Sequence, residues 1–305
     1  MENRTINDYF EIVAFFNSGM NPPIYFALFL LIYLVGLLGN IIIIICVITN
    51  VRLHTPMYIF LSNLSTVDMM FTSSTLPKLM DILLTRNNSI SYVECITQVW
   101  FYMFAVCTED MLLSFMAYDR YVAICKPLYY HMIMSKRNYI FFLMGIWMFT
   151  LVNALFVILT LYPIDICHSN KIYHFFCEIK SLGRLLCANT KLNFIILTEV
   201  MAFGLFLFLL NLTSYIKIIS VVLRIPSTTG RKKAFSTCTS HLTVMSMFYV
   251  AVMGMYLNPS SEQLEEQDLV FSVLFMAVTP MLNPIIYSLR NTEVRSTIKL
   301  MISIK

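Results

Sequence analysis

The sequence predicts an all-α membrane protein: a bundle of seven transmembrane helices over residues 23–289, closed by a short C-terminal amphipathic helix. Three observations lead there. The 305 residues are 58% hydrophobic and only 12% charged, and their mean hydropathy is +0.74. That is more apolar surface than a soluble domain of this size hides. Seven runs come close to the ~20 residues that cross ~30 Å of hydrocarbon as a helix. None shows the alternation over about ten residues that a barrel strand needs, and residues 41–46 are continuously apolar. The whole chain, 1–305, reads as one domain, with an outer tail over 1–22 and an inner helix and tail over 290–305.

The seven runs are 25–49, 58–80, 96–118, 139–162, 192–216, 234–257 and 269–289. No Arg-rich or small-residue cleavage pattern precedes the first, so the first span is expected to act as its own insertion signal. With the amino terminus outside, most Lys and Arg fall on the inner side, including Arg52, Arg120, Lys126, Arg137, Lys217, Lys232 and Arg295. This satisfies the positive-inside rule and leaves the carboxyl terminus in the cytoplasm.

The elements follow in order. Asn3-Arg4-Thr5 is a glycosylation sequon on the outer tail, and Asn87-Asn88-Ser89 is a second in the first outer loop. Asn63-Leu64-Ser65 and Asn211-Leu212-Thr213 match the same pattern inside spans, where glycosylation does not reach. The first span holds Gly36, Gly39 and Asn40, suited to close helix approach and a hydrogen bond across helices. Pro56 suits the start of the second helix.

Asp68 lies midway along the second span, and Glu109 and Asp110 midway along the third. A charged carboxylate at such depth costs about 2.5–3.5 kcal/mol on insertion scales, so these must face the bundle interior, hold a proton or bind a cation. Glu109 and Arg120 are eleven residues, three turns, apart and share a face with Tyr102, Val106 and Leu113. The third span closes on Asp119-Arg120-Tyr121. A guanidinium keeps its proton and needs a partner at a membrane boundary. Asp119 is the local partner, and a polar group on another helix is a second. An arginine that exchanges partners is a switch element, and the plainer reading is a positive stop at the cytoplasmic edge.

Beyond the uncharged fourth span, Cys167, Cys177 and Cys187 recur at ten-residue spacing, and Cys95 makes a fourth outer cysteine. Four cysteines in an oxidising compartment suggest two disulfides with three connectivities; zinc held with His168 or His174 is the alternative. The fifth span carries Glu199. The inner connection 224–233 holds the basic run Arg231-Lys232-Lys233, suited to a partner or to anionic lipid. In the seventh span Pro284 frees a carbonyl and kinks the helix, and Asn283 is positioned to meet part of that polar demand. Tyr287 follows. Val294, Ile298 and Met301 then recur at helical spacing, with Arg295 and Lys299 elsewhere, as on an interfacial amphipathic helix.

Three stretches carry a resemblance: Leu53-His54-Thr55-Pro56-Met57-Tyr58, Met116-Ala117-Tyr118-Asp119-Arg120-Tyr121-Val122-Ala123-Ile124-Cys125, and Lys233-Ala234-Phe235-Ser236-Thr237-Cys238-Thr239-Ser240-His241-Leu242. In this order and spacing the chain, from Gly39 to Asn291, resembles the odorant receptors among rhodopsin-like G-protein-coupled receptors. The segment His174-Phe175-Phe176-Cys177-Glu178 looks more like the tetrapod-type members than the fish-like class. The sequence departs from the family pattern in reading Phe248-Tyr249-Val250 where the family commonly has Phe-Tyr-Gly, and in carrying Asp110 and Glu199.

The resemblance implies a receptor in the plasma membrane that binds a small odorant and activates a heterotrimeric G protein, with no role for nucleic acid. It favours the pairings Cys95–Cys177 and Cys167–Cys187. It also supports a sodium ion between Asp68 and Glu109, with a protonated pair as the alternative; no other cofactor is expected. Asp119, Arg120 and Tyr121, with Tyr215, Asn283, Pro284 and Tyr287, are expected to form the coupling switch. Helical spacing aligns Tyr102 with Val106, Glu199 with Phe203, and Tyr249 with Val252 and Tyr256, with Met103 and Cys107 on the border. The resemblance implies ligand in this outer half. Glu199, if ionised there, favours an amine or a strong donor; its other reading is an acid facing water or Lys191. The competing class is a transporter or channel using the buried carboxylates, weakened by the lack of an internal repeat or a filter-like loop. No nucleophile–base pair or metal motif suggests an enzyme.

Overall fold

The computed structural model describes residues 9–13, 21–161, 170–185, 203–257, 265–290 and 292–303. Its helices are α1 (Pro22–Thr49), α2 (Pro56–Thr85), α3 (Tyr92–Cys125), α4 (Lys136–Leu161), α5 (Leu205–Leu223) and α6 (Thr228–Leu257). The seventh, α7, runs as Glu265–Val273, a π-helical turn Leu274–Val278, and Thr279–Arg290; α8 is Thr292–Ser303. Six helices are long and apolar enough to cross a membrane. The remaining one, α2, is 30 residues long and falls short in apolarity because of groups such as Asp68, Lys78 and Asp81. Together they form a seven-helix membrane bundle with an additional terminal helix.

Most helices extend past the apolar runs. Helix α3 begins at a capping box: Ser91 Oγ accepts from the Glu94 amide at 3.3 Å while the Ser91 amide donates to Glu94 Oε2 at 2.9 Å. The basic run Arg231-Lys232-Lys233 belongs to the first turns of α6 rather than to a connection. Hydropathy locates where lipid begins, but a backbone already in a helix continues through polar residues at little cost.

Helix α1 faces lipid along much of its length, with Leu31, Leu38 and Ile48 exposed, whereas α3 sits at the centre. Gly36 and Gly39 let α1 approach α7 closely: a Cβ at Gly39 would fall 2.8 Å from Pro284 Cγ. Pro284 has no amide for the carbonyl of Pro280, four residues earlier. Asn40 Nδ2 donates to that carbonyl at 3.1 Å. Asn283, expected to serve the kink, instead donates to Asp68 Oδ2 at 3.0 Å. The cause is competition: the Asn283 amide is taken by the buried Asp68 carboxyl on α2, and α1, drawn close by its glycines, brings Asn40 to the Pro280 carbonyl instead.

At the end of the bundle bearing Cys95, strands β1 (Tyr9–Ile12), β2 (Ser89–Ser91) and β3 (Lys171–Ile172) form a sheet in the order β2-β1-β3. β1 is antiparallel to β2, with Phe10 opposite Ile90, and parallel to β3, with Ile12 opposite Ile172. Phe10 and Ile12 point into the core while Tyr9 is exposed, the alternation of a half-buried strand. The sequence reading treated this segment as part of the outer tail; four residues are too few for periodicity to stand out. At the opposite end, which bears Arg120, α8 buries Val294 and exposes Arg295 and Lys299. Asn50 Nδ2 donates to Thr297 Oγ1 at 2.7 Å, tying α8 to the turn after α1.

Candidate functional site

Between α3, α6 and the start of α5 lies a cavity of about 310 Å³. From α3 it is lined by Tyr102, Met103, Val106 and Cys107. From α6 come Tyr249, Val252 and Tyr256, and Phe203 stands just ahead of α5. The structure thus brings together all the expected pocket residues that it describes; Glu199 lies outside the described residues. The α3 set recurs at spacings of three and four, which puts one face of the helix toward the void.

Sequence reasoning left Asp110 out of this group, yet it lines the cavity. It stands four residues past Val106, on the same stripe, and that spacing was the available signal. Tyr249 donates from its hydroxyl to Asp110 Oδ1 at 2.7 Å. Asn211 Nδ2 donates to the Tyr249 oxygen at 2.8 Å and lies 2.9 Å from Ser114 Oγ. Asn63, the other sequon-like asparagine within a span, accepts from Trp147 Nε1 at 2.9 Å. Both amides are ties between helices. Val250, where the sequence departs from Phe-Tyr-Gly, is 62% exposed on the lipid side and does not alter the cavity.

Cys95 and Cys177 are disulfide-bonded. The bond holds the His174–Glu178 stretch over the helix ends, where Phe175 and Phe176 are fully buried. Gln98 adds a second tie that sequence reading missed. It accepts from the Cys177 amide at 2.8 Å and donates to the Ser74 carbonyl at 2.9 Å. Cys167, Cys187 and Asn3 lie outside the described residues.

Deeper in the bundle Asp68 and Glu109 are both buried beside Asn283. Asp68 Oδ1, Glu109 Oε1 and Asn283 Oδ1 have no hydrogen-bond partner among the described residues. Carboxyl and amide oxygens are hard donors, the type a monovalent cation takes, although no group of three or more His, Cys, Asp or Glu suited to a metal occurs among the described residues.

At the far end of α3, Arg120 Nη2 stands 3.5 Å from Asp119 Oδ2. The hydroxyl of Tyr130, which opens the short helix Tyr130–Ile133 beyond α3, donates to Asp119 Oδ1 at 2.9 Å. Burial, and then the Asp119 carboxylate, raise the Tyr130 pKa above its ordinary value, so the phenol keeps the proton it donates. Tyr121 lies under two ammonium groups, Lys126 Nζ at 5.9 Å and Lys217 Nζ at 5.6 Å from its ring centre. Tyr215 bonds His241 Nδ1 rather than a group on α3, linking α5 to α6. Tyr287 is fully buried and its hydroxyl has no partner among the described residues. The structure thus places some of the expected switch residues in two groups at this end of the bundle, Arg120 ion-paired with Asp119, which Tyr130 hydrogen-bonds, and Tyr215 with His241, while Asn283 pairs with Asp68 deeper in the bundle. Tyr130 and His241 were absent from the sequence expectation because their partners come from other segments.

The olfactory receptor family profile matches residues 29–305. Olfactory receptor 1E16 of Mus musculus is 42% identical over 298 residues, covering 97% of this chain and 95% of its own length. Olfactory receptor 1 of Rattus norvegicus gives the same identity and coverage. Olfactory receptor 1S1 of Homo sapiens is 41% identical over 304 residues, covering 99% of this chain and 94% of its own.

Proposed function

The chain belongs to the olfactory receptor family, and on that premise we propose that its cavity between α3, α5 and α6 binds a small odorant and that binding drives activation of a heterotrimeric G protein. The observation that carries this is the cavity itself: apolar walls, few polar groups, and a volume of about 310 Å³ at the lower limit of small-molecule sites. A transporter or channel is not favoured.

The amino terminus and the disulfide end face outward in the plasma membrane, and the Arg120 end faces the cytoplasm. The excess of Lys and Arg near Arg120 supports this orientation. So does the disulfide, which persists in an oxidising compartment. The G protein docks at the cytoplasmic end, beside Arg120, where Leu128 is 94% exposed and Met132 66% exposed. Asp119 holds Arg120 at rest, and activation frees the guanidinium to exchange that partner for a polar group on another helix. A sodium ion between Asp68 and Glu109, completed by Asn283 Oδ1, steadies the resting packing. Asn3 carries a glycan, and Cys167 pairs with Cys187.

The test is guanine-nucleotide exchange by purified receptor and G protein against a chemically diverse odorant panel. Ligand-dependent exchange that falls when Val106 and Val252 are replaced by Phe is the expected result. Exchange that no odorant alters, or a ligand-driven ionic current in liposomes lacking G protein, overturns the reading.

A further inference from the structure

We propose that Asp110 makes this cavity selective for a small protonated amine, whose ammonium group sits on the carboxylate while its hydrocarbon body fills the apolar walls. The inference rests on the cavity being the odorant site and names the class of ligand it takes.

The cavity is bounded along the bundle by two hydrogen-bonded pairs between α3 and α6. Toward the disulfide end the hydroxyls of Tyr102 and Tyr256 stand 3.3 Å apart. Toward the bundle centre Tyr249 meets Asp110. Tyr102 and Asp110 are eight residues apart on one helix, a rise of about 12 Å. Between the pairs the walls are hydrocarbon and aromatic, including Val106, Phe208 and Val252. A ligand in this space meets one hydrophobic stretch with a polar group at each end, and the two ends differ. The upper pair is two neutral phenols. The lower end holds Asp110, the only Asp, Glu, Lys or Arg among the described lining residues.

Asp110 is under-neutralised for its depth. Its partner is the neutral hydroxyl of Tyr249, and no cationic side chain pairs with it among the described residues. Tyr249 has one proton to give. Its oxygen accepts from Asn211, so that proton is directed to Asp110 Oδ1. A carboxylate has acceptor sites for several donors, and one phenol leaves most of them open. The electrostatic neighbours of Asp110 on the second and third helices, Asp68 and Glu109, are acids and offer it no cationic partner. A carboxylate at this depth is costly without a counter-charge. An ammonium ion entering the cavity supplies both the charge and the donors. An alcohol supplies one donor and no charge, and a hydrocarbon supplies neither.

The experiment measures binding to the purified full-length receptor in nanodiscs of three probes of equal size: cyclohexylmethylamine, cyclohexylmethanol and ethylcyclohexane. The wild type is expected to bind the amine about 10- to 100-fold more tightly than the alcohol, as a charge-assisted hydrogen bond in a desolvated site implies. Asp110→Asn keeps the size and an acceptor for Tyr249, and should bring the amine-to-alcohol ratio close to one while hydrocarbon affinity is unchanged. Tyr249→Phe removes the competing donor and should keep or raise the amine preference; it also tests the carboxylate should Asp110→Asn fail to fold. Persistence of the preference in Asp110→Asn, or its loss in Tyr249→Phe with hydrocarbon binding intact, overturns the inference. Hydrocarbon binding without any amine preference in the wild type overturns it too, yet leaves the cavity as the ligand site. Failure of all three probes to bind overturns the cavity reading and this inference with it.

Discussion

Asn40 on α1 donates a hydrogen bond of 3.1 Å to the carbonyl of Pro280 on α7, the acceptor left without an amide by Pro284. A side chain from the first helix thus supplies the donor that the last helix lacks. Asn40 is 1% exposed, so water does not take its place. Replacing it with Ala leaves a buried carbonyl unsatisfied and should destabilise the fold by about 1–3 kcal/mol. Gly39→Ala should lower stability as well, because the new methyl would meet the rigid Pro284 ring at 2.8 Å. Thermal unfolding in nanodiscs reads both, and unchanged Tm values would show that this joint contributes nothing.

At the other end of α3, Tyr130 shares Asp119 with Arg120. Tyr130→Phe removes one restraint on Asp119 and should raise ligand-independent nucleotide exchange by about 2- to 10-fold, the factor for one hydrogen bond of ~0.5–1.5 kcal/mol. Arg120→Ala should abolish exchange while the receptor still reaches the cell surface. Full signalling by a well-expressed Arg120→Ala variant would remove Arg120 from the switch.

The disulfide closes a loop with a sequence separation of 82 residues. Cys95→Ser and Cys177→Ser should each destabilise by about 2–5 kcal/mol. The double variant should be little worse than either single, since each already breaks the same bond. Gln98→Ala should add a further loss by freeing the Cys177 amide. Additive losses in the two cysteine variants would contradict a shared bond, and peptide mass spectrometry checks the pairing directly.

For the buried carboxylates, exchanging choline for sodium at constant ionic strength should raise the Tm of the wild type, because an ion bound only by the folded state stabilises it. Asp68→Asn and Glu109→Gln should each erase that dependence. A wild-type Tm insensitive to sodium would leave a shared proton between the two carboxyls as the surviving account.

Much of the bundle was legible from residue order, because crossing ~30 Å of hydrocarbon forces a long apolar helix wherever it occurs. The stripe Tyr102, Met103, Val106, Cys107 could be read as one face, since helical period is a local property. The long motifs around Arg120 and His241 pointed to the family before any contact was known. Hydropathy could not follow helices into polar sequence, so the start of α6 at Thr228 and the strand Tyr9–Ile12 came from the structure. What the sequence left open was which polar groups meet. Asn283 faces Asp68 rather than the kink, Asn40 serves Pro280, Asn211 orients Tyr249, and Tyr130 reaches Asp119. Each pair joins residues distant in the chain, and the choice of partner depends on how closely the backbones approach. That distance is set by packing, as where Gly39 admits Pro284, and packing is decided by the assembled bundle rather than by any one segment.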